Sequence, residues 1–463
     1  MLYFMEKLNA LVWGIPTLLL ITGVGLYLSI LTGFIQIRLF PQAAKLFLNT
    51  FTNRNKTPNA VSPYRALCTA LAATVGTGNL AGVAGAIAIG GPGAVFWMWI
   101  CAFLGMIIKC TEAVLAVRYR IKNQDGSYIG GPMYMIGKGM GKKWSWLAGL
   151  YCFFGVVAAF GAGNATQVNA MIGGINSVIE GFGGRETVLV NLLIGIASGV
   201  LIFFLLSGGA VRIGQAAERL VPFAAVVYLL LGTGVLLVCR KNIPTAFAQI
   251  FTGAFDPQAV TGGAIGSMFI AVRIGASRGV FTNEAGMGTA SIAHASAQVR
   301  HPVEQGLMGV MEVFIDTILI CTMTALVILC SKVPINFGAD MGVALTAAAF
   351  STIYGSWVCV PLALILSCFA FATVLGWGLY GARCAQYLFG EHIWRRFIWI
   401  SATTVVIGSV LNTATVWLFS ETINGLMAIP NLIAVAYLSP ELIKLLKDYK
   451  LFRCAHKKSM ACR

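Results

Sequence analysis

The stretch from Thr69 to Gly91, TALAATVGTGNLAGVAGAIAIGG, constrains this chain more than any other. It carries no charge and is long enough for a bilayer span, which needs about 20 residues at 1.5 Å rise. Yet Gly76, Thr77, Gly78 and Asn79 fall where the bilayer midplane would lie. Each glycine costs a helix interior roughly 1 kcal/mol relative to alanine. The Asn79 amide finds no partner in hydrocarbon. One reading is a packing face of small residues, with Gly78 and Gly82 as a GxxxG pair. The other is a helix broken at Gly76–Gly78, which frees N–H groups for a carboxylate and carbonyls for a cation. Irregular backbone at membrane depth must line a cavity, which favours the break. Gly76-x-Gly78-x-x-Ala81 also matches a dinucleotide fingerprint nominally. No strand precedes it and no acidic residue follows at the required distance, so it is discounted.

Hydrophobic residues make up 58% of the chain and charged residues 10%, against about 25% charged in soluble proteins. The expected class is an all-α polytopic membrane protein. Leu8–Gly33 is too long for a signal-peptide core and follows Glu6 and Lys7, so it reads as a retained span. The 12 cysteines are scattered through apolar stretches without a CxxC. They read as small buried hydrophobes, not disulfides or metal ligands.

Eleven transmembrane helices are expected, at approximately 9–34, 64–91, 93–120, 144–180, 187–207, 216–239, 260–299, 303–331, 347–383, 395–418 and 422–446. The formal net charge is +16. Most basic residues then fall on one side of the membrane: Arg38, Lys45, Arg54, Lys56 and Arg65, the group from Arg118 to Lys143, and the run from Lys444 to Arg463. The other side holds Lys7, Arg185, Arg240, Lys241 and Lys332, and Lys109 lies within a span. The positive-inside rule places the amino terminus outside and the basic tail in the cytoplasm. Topology therefore accounts for the charge without nucleic acid, and the tail is suited to anionic membrane lipid.

This division makes residues 1–63 an extra first span with a cytoplasmic loop. Spans 2–6 occupy 64–239, spans 7–11 occupy 260–446, and 447–463 form the basic tail. Two halves with odd numbers of spans must run in opposite senses, the expectation for an inverted repeat. Span 7 opens the second half as span 2 opens the first. It is too long for one membrane-spanning helix and carries RIGASRG (Arg273–Gly279) followed by VFTNEAGMGTA (Val280–Ala290). A second break is expected at Arg273–Gly279, and paired interrupted segments point to a transporter's site. Arg273, Arg278 and Glu284 are charges in an apolar segment. They are expected to pair with one another or with Glu312 and Asp316, which share a face of span 8. A structural or gating role is favoured over ligand contact for all five.

The blocks TVGTGNLAGVAGAI, GGPMYMI, GNATQVNA, ASRGVFTNEAGMGTA and GWGLYGARC, in this order, resemble the alanine/glycine:cation symporter family over about residues 10–446. That resemblance implies the amino acid/polyamine/organocation superfamily and a leucine-transporter-type inverted repeat with two broken helices. It implies sodium as coupling ion and alanine or glycine as substrate, carried inward. The chemistry agrees: an amino acid needs N–H donors for its carboxylate and oxygens for its ammonium. Gly76, Thr77 and Gly78 are assigned to the carboxylate, and Gly275, Ala276 and Ser277 to the ammonium through carbonyls. By resemblance Gln167 contacts the ligand, against the plainer reading of an interhelical hydrogen bond. Thr373 and Trp377 share a face at i, i+4. Resemblance makes Thr373 a polar contact and Trp377 the wall that limits side-chain size; the plainer reading of Trp377 is a packing aromatic. Two sodium sites carry over, one with Thr74 and Asn79, the other with the Ala72 and Val75 carbonyls and Thr373. Ala372 stands where the second site expects a further hydroxyl.

The leading expectation is sodium-coupled import of alanine or glycine by alternating access, in a bacterial inner (plasma) membrane, with no cofactor. The alternative is a proton-coupled carrier or exchanger of another small neutral amino acid, with Glu284, Glu312 and Asp316 as relay candidates. An enzyme is not expected: HExxH is missing, and the histidines are His294, His301, His392 and His456. A channel is disfavoured by two interrupted helices in opposed halves.

Overall fold

A computed structural model describes residues 2–52, 61–123, 126–339 and 342–461. Arg54, Lys56 and Arg463 of the basic side lie outside the described residues. Helix dominates, and one hairpin, Ile121–Lys122 with Tyr128–Ile129, joins spans 3 and 4. Among the described residues eight helices are long and apolar enough to cross a membrane, or nine with one bent pair counted as a single span. They are Tyr3–Thr32 (span 1), Ala94–Tyr119 (3), Lys142–Gly181 (4), Val188–Ser207 (5), Gly209–Val238 (6), Pro302–Cys330 (8), Ser356–Phe389 (9) and Thr413–Tyr437 (11). The bent pair is span 2, Pro63–Thr74 and Gly78–Gly90, which meet at 50°. The remaining expected spans are the interrupted span 7 and the shorter helix Ile393–Gly408. Span 9 starts later than the expected 347, because Gly355 at φ +77° separates it from the helix Gly342–Tyr354.

Span 2 starts where its sequence says it should. Ser62 caps the helix by accepting from the Arg65 N–H at 3.1 Å, with Pro63 in the first turn. It ends because Val75 turns extended (φ −76°, ψ 95°), so Gly76 leaves the helical ladder. The Gly76 N–H donates instead to Asn79 Oδ1 at 2.8 Å. The break is narrower than expected: Thr77 is already helical and Gly78–Gly82 forms a π-turn.

Span 7 breaks later than expected. Met268–Asn283 is one continuous helix, so the carbonyls of Gly275, Ala276 and Ser277 belong to a regular ladder. The turn is Glu284–Gly288, followed by Thr289–Ala295. Glu284 (φ +53°), Gly286 (φ +93°) and Gly288 (φ +75°) all adopt left-handed backbone. For Glu284 that conformation is uncommon and costs of order 1 kcal/mol. The physical reason lies in what each glycine faces. A Cβ on Gly275 would meet Ala94 O at 2.4 Å, and one on Gly279 would meet Cys101 Cβ at 3.3 Å. Those glycines let span 7 lie close on span 3; they do not unwind it.

The two broken spans form the interior. Residues 66–88 and 275–295 are buried throughout. Spans 5 and 6 present Leu193, Val200, Phe204, Phe223 and Leu230 outward, as a lipid-facing surface requires. Three π-turns, Gly78–Gly82, Ala159–Ala165 and Phe314–Cys321, lie in spans 2, 4 and 8. Each adds one residue to a turn and redirects the side chains beyond it, and such turns gather at functional sites.

Candidate functional site

The break in span 2 faces spans 4 and 9. A Cβ on Gly76 would lie 2.6 Å from Thr373 Oγ1 and 3.4 Å from Gln167 Oε1. Thr77 Oγ1 donates to Gln167 Oε1 at 3.0 Å, and Gln167 Nε2 donates to Ala162 O at 3.0 Å inside the span 4 π-turn. The Gln167 side chain therefore makes the interhelical bond of the plainer reading. Thr373 is 1% exposed, and its hydroxyl is buried without a hydrogen-bond partner. One helical turn on, Trp377 is buried against Gly163, where a Cβ would come within 2.4 Å of the Trp377 Cβ. Gly376 packs on Ala73, holding span 9 against the end of the helix that carries Ala72 and Thr74.

Gly76, Thr77, Gln167 and Thr373 thus come together, with Trp377 next to them. Gly78 does not point at this group: it meets Thr282 and Phe281, so its small size serves the contact between the broken spans. Gly275 faces Ala94 and Trp97 of span 3, and the Ala276 carbonyl accepts from Cys101 Sγ of that span. The span 7 residues that face Gly78 at the break are Phe281 and Thr282.

Asn79 works in both directions. Its Oδ1 accepts from Gly76, and its Nδ2 donates to Asp316 Oδ1 at 2.7 Å and Asp316 O at 3.1 Å. Asp316 Oδ2 accepts from Thr317 Oγ1 at 2.7 Å, and Asn283 Nδ2 donates to that hydroxyl at 3.2 Å. Thr74 Oγ1 bonds back to Ala70 O at 3.3 Å. A fully buried carboxylate therefore stands beside the break, at a residue the sequence suggested for structure, gating or proton relay.

The other charges pair differently from expectation. Arg278 binds Glu421 of span 11 at 2.7 Å, not Glu284, Glu312 or Asp316. Its guanidinium lies 5.1 Å from the Trp417 ring, on which Phe281 stacks at 5.0 Å. Arg273 is half-buried in the first half of the helix Met268–Asn283. Glu312 faces Lys109 at 3.3 Å and His294 Nε2 at 2.8 Å. Glu284 accepts from Thr289 Oγ1 at 2.5 Å. Glu112 Oε1 accepts from the Gly286 and Gly288 N–H groups at 3.0 and 3.2 Å and from Asn431 Nδ2 at 2.6 Å, which pins the span 7 turn. Lys109, Glu112, His294 and Glu421 were missed as site residues. Lys109 and Glu112, three apart in an apolar span, were the signal that could have found two of them.

Beyond the break from Arg278, a cavity of approximately 390 Å³ opens among the span ends. Its lining includes Asn123, Tyr128, Gln298, Arg383, Glu391 and Trp394. The arrangement is closed by an ion pair and stacked rings on one side of the break and hollow on the other.

The sodium:alanine symporter family model matches residues 1–462. This chain belongs to that family. The sodium/alanine symporter AgcS of Methanococcus maripaludis is 39% identical over 456 residues, covering 97% of each chain. An uncharacterized transporter of Haemophilus influenzae is 40% identical over 448 residues, covering 96% of this chain and 95% of the other. The crystal structure of MhsT in complex with L-phenylalanine superposes with a TM-score of 0.59 at 12% identity, covering 85% of this chain and 99% of that one. The fold is accordingly the leucine-transporter type, with spans 2 and 7 as its broken helices. The family and these relatives are transporters, so this symporter-family chain is a membrane carrier and not an enzyme, and sodium is the family's coupling ion.

Proposed function

We propose that this chain carries alanine or glycine into the cell together with sodium, by alternating access around the break in span 2. The observation that supports this most is the Thr373 hydroxyl, buried, unpartnered and directed at Gly76. A buried polar atom without a protein partner calls for an explanation, and a bound ligand supplies one. Gly76, Thr77 and Gln167 take the substrate carboxylate, Thr373 offers its hydroxyl, and Trp377 bounds the side chain. Sodium takes oxygens of Thr74 and Asn79, with Asp316 as the nearby fixed negative charge. Ala72, Val75 and Thr373 remain the second candidate set. Phe281 and Thr282 replace Gly275, Ala276 and Ser277 as the span 7 contribution.

The Gly76–Asn79 hydrogen bond explains why the two ligands travel together. Sodium on Asn79 Oδ1 alone strands the Gly76 N–H. A carboxylate on Gly76 alone strands the amide oxygen. Each stranded buried group costs about 1–3 kcal/mol. Only both ligands together satisfy both ends, so each is expected to raise the other's affinity by about tenfold or more.

Residues 64–239 and 260–446 supply the opposed repeats, with residues 1–63 outside them. The amino terminus faces outward and the basic tail, 447–463, meets the cytoplasmic lipid surface of a bacterial inner membrane. The cavity is then the cytoplasmic vestibule, and nucleic acid has no part. Radiolabelled alanine uptake into proteoliposomes under sodium, potassium or proton gradients tests this. Concentrative uptake is expected only with inward sodium. Equal uptake with protons alone, or none under any gradient, would sink the sodium–alanine reading.

A further inference from the structure

Beyond the substrate and sodium sites lies a second buried group. His294 sits on the seven-residue helix that follows the span 7 turn and is 0% exposed. Both ring nitrogens are engaged: Nε2 with Glu312 Oε2 at 2.8 Å, and Nδ1 with Gln305 Nε2 at 2.7 Å. An amide nitrogen donates, so Nδ1 accepts and the ring hydrogen sits on Nε2, facing the carboxylate. Gln305 Oε1 is then buried without a partner. Turning this amide over, an assignment its nearly symmetric shape permits, brings that oxygen to Nδ1. The ring can then carry a second hydrogen, donating to Gln305 on one side and Glu312 on the other. The pocket therefore has a complete donor and acceptor set for an imidazolium as well as for an imidazole.

Buried carboxylates outnumber basic groups around it. Among the described residues the buried titratable groups on the elements packed here are Tyr64 and Cys68 of span 2, Cys101, Lys109, Cys110 and Glu112 of span 3, Glu284 of the turn, Glu312, Asp316, Cys321 and Cys330 of span 8, and Tyr380 and Cys384 of span 9. Lys109 is the one lysine or arginine among them, and the half-buried Arg120 donates to Ala295 O at 3.1 Å, against four buried carboxylates. Glu312 and Asp316 lie about one turn apart on the same span, and Asp316 holds Asn79. A positive charge gained at His294 weakens the field that attracts a cation to Asp316.

We propose that His294, with Glu312 and Gln305, is a proton-binding site that opposes sodium binding beside Asp316. The proton arrives from water and protonates Nδ1; no bond other than N–H forms. This goes beyond the uptake reading, and its first test needs no amino acid. Sodium added to the solubilised, weakly buffered carrier near pH 6 is expected to release protons to an indicator dye. His294→Gln, whose amide still reaches Glu312, is expected to abolish that release. In proteoliposomes the half-saturating sodium concentration for alanine uptake should rise about tenfold as pH falls from about 8 to about 5.5. His294→Gln should hold the high-pH value throughout. Gln305→Glu places an anion at Nδ1 and should move the transition to higher pH by about one unit. Wild-type protein that binds sodium without releasing protons overturns the proposal. So does a His294→Gln carrier with the wild-type pH profile. If His294→Gln fails to fold, an unshifted transition in Gln305→Glu overturns it equally.

Discussion

Thr373 and Asp316 are two polar groups that the bilayer interior should not tolerate without a reason. Thr373→Val keeps the shape and removes the hydroxyl. Because that hydroxyl has no protein partner, the variant should fold with unchanged thermal stability while the alanine KM rises about tenfold, read by uptake kinetics. An unaltered KM would take Thr373 out of the site. Asp316→Asn keeps the volume and one acceptor oxygen for Asn79 but removes the charge beside it. It should raise half-saturating sodium by at least about tenfold while alanine dependence at saturating sodium changes little. At this scale the sequence was partly legible. Gly76, Gln167 and Thr373 sit in recognisable blocks, and the structure gathers them. His294 and Glu421 were not legible, because their partners lie on other helices and no local spacing encodes them; Lys109 and Glu112 show as charges three apart in an apolar span, but their partners do not.

Both breaks could be anticipated as elements, but only the first could be placed to within a residue or two. In span 2 the extended Val75 and the Asn79 side chain, both within the motif itself, make the turn. In span 7 two glycine-rich stretches compete. Gly275 and Gly279 serve close packing on span 3, and Gly286 and Gly288 take left-handed backbone. That choice is made by tertiary contact, above all by Glu112, whose carboxylate replaces the missing helical acceptors for the Gly286 and Gly288 N–H groups. Glu112→Ala should therefore lower stability by about 3 kcal/mol, since hydrogen bonds to a charged group are each worth about 1.5–3 kcal/mol. Glu112→Gln, which still accepts through one oxygen, should recover most of it, as measured by thermal unfolding in detergent. Equal losses in both variants would show that the carboxylate holds the turn by charge and not by hydrogen bonding.

For the whole molecule, composition was enough to reach a polytopic membrane protein, the paired interrupted segments pointed to a carrier, and the order of motifs was enough to reach its family. Span counts and ends were less legible, because interrupted or short helices such as Ile393–Gly408 do not stand out by length. The orientation makes a direct prediction. Cys454 is exposed on the terminal helix Ser439–Ala461. A membrane-impermeant maleimide should label it in inverted vesicles and not in intact cells; the reverse pattern would turn the carrier over.

The ion pair and stacked rings on one side of the break, with a cavity on the other, also bear on inhibition. An amino acid too broad to pass Trp377 yet small enough for the cavity would stabilise this shape and no other. It would act as a blocker with a sidedness of its own, effective from the hollow end and silent from the sealed one. Its potency would fall as sodium and alanine together draw the carrier away from that shape.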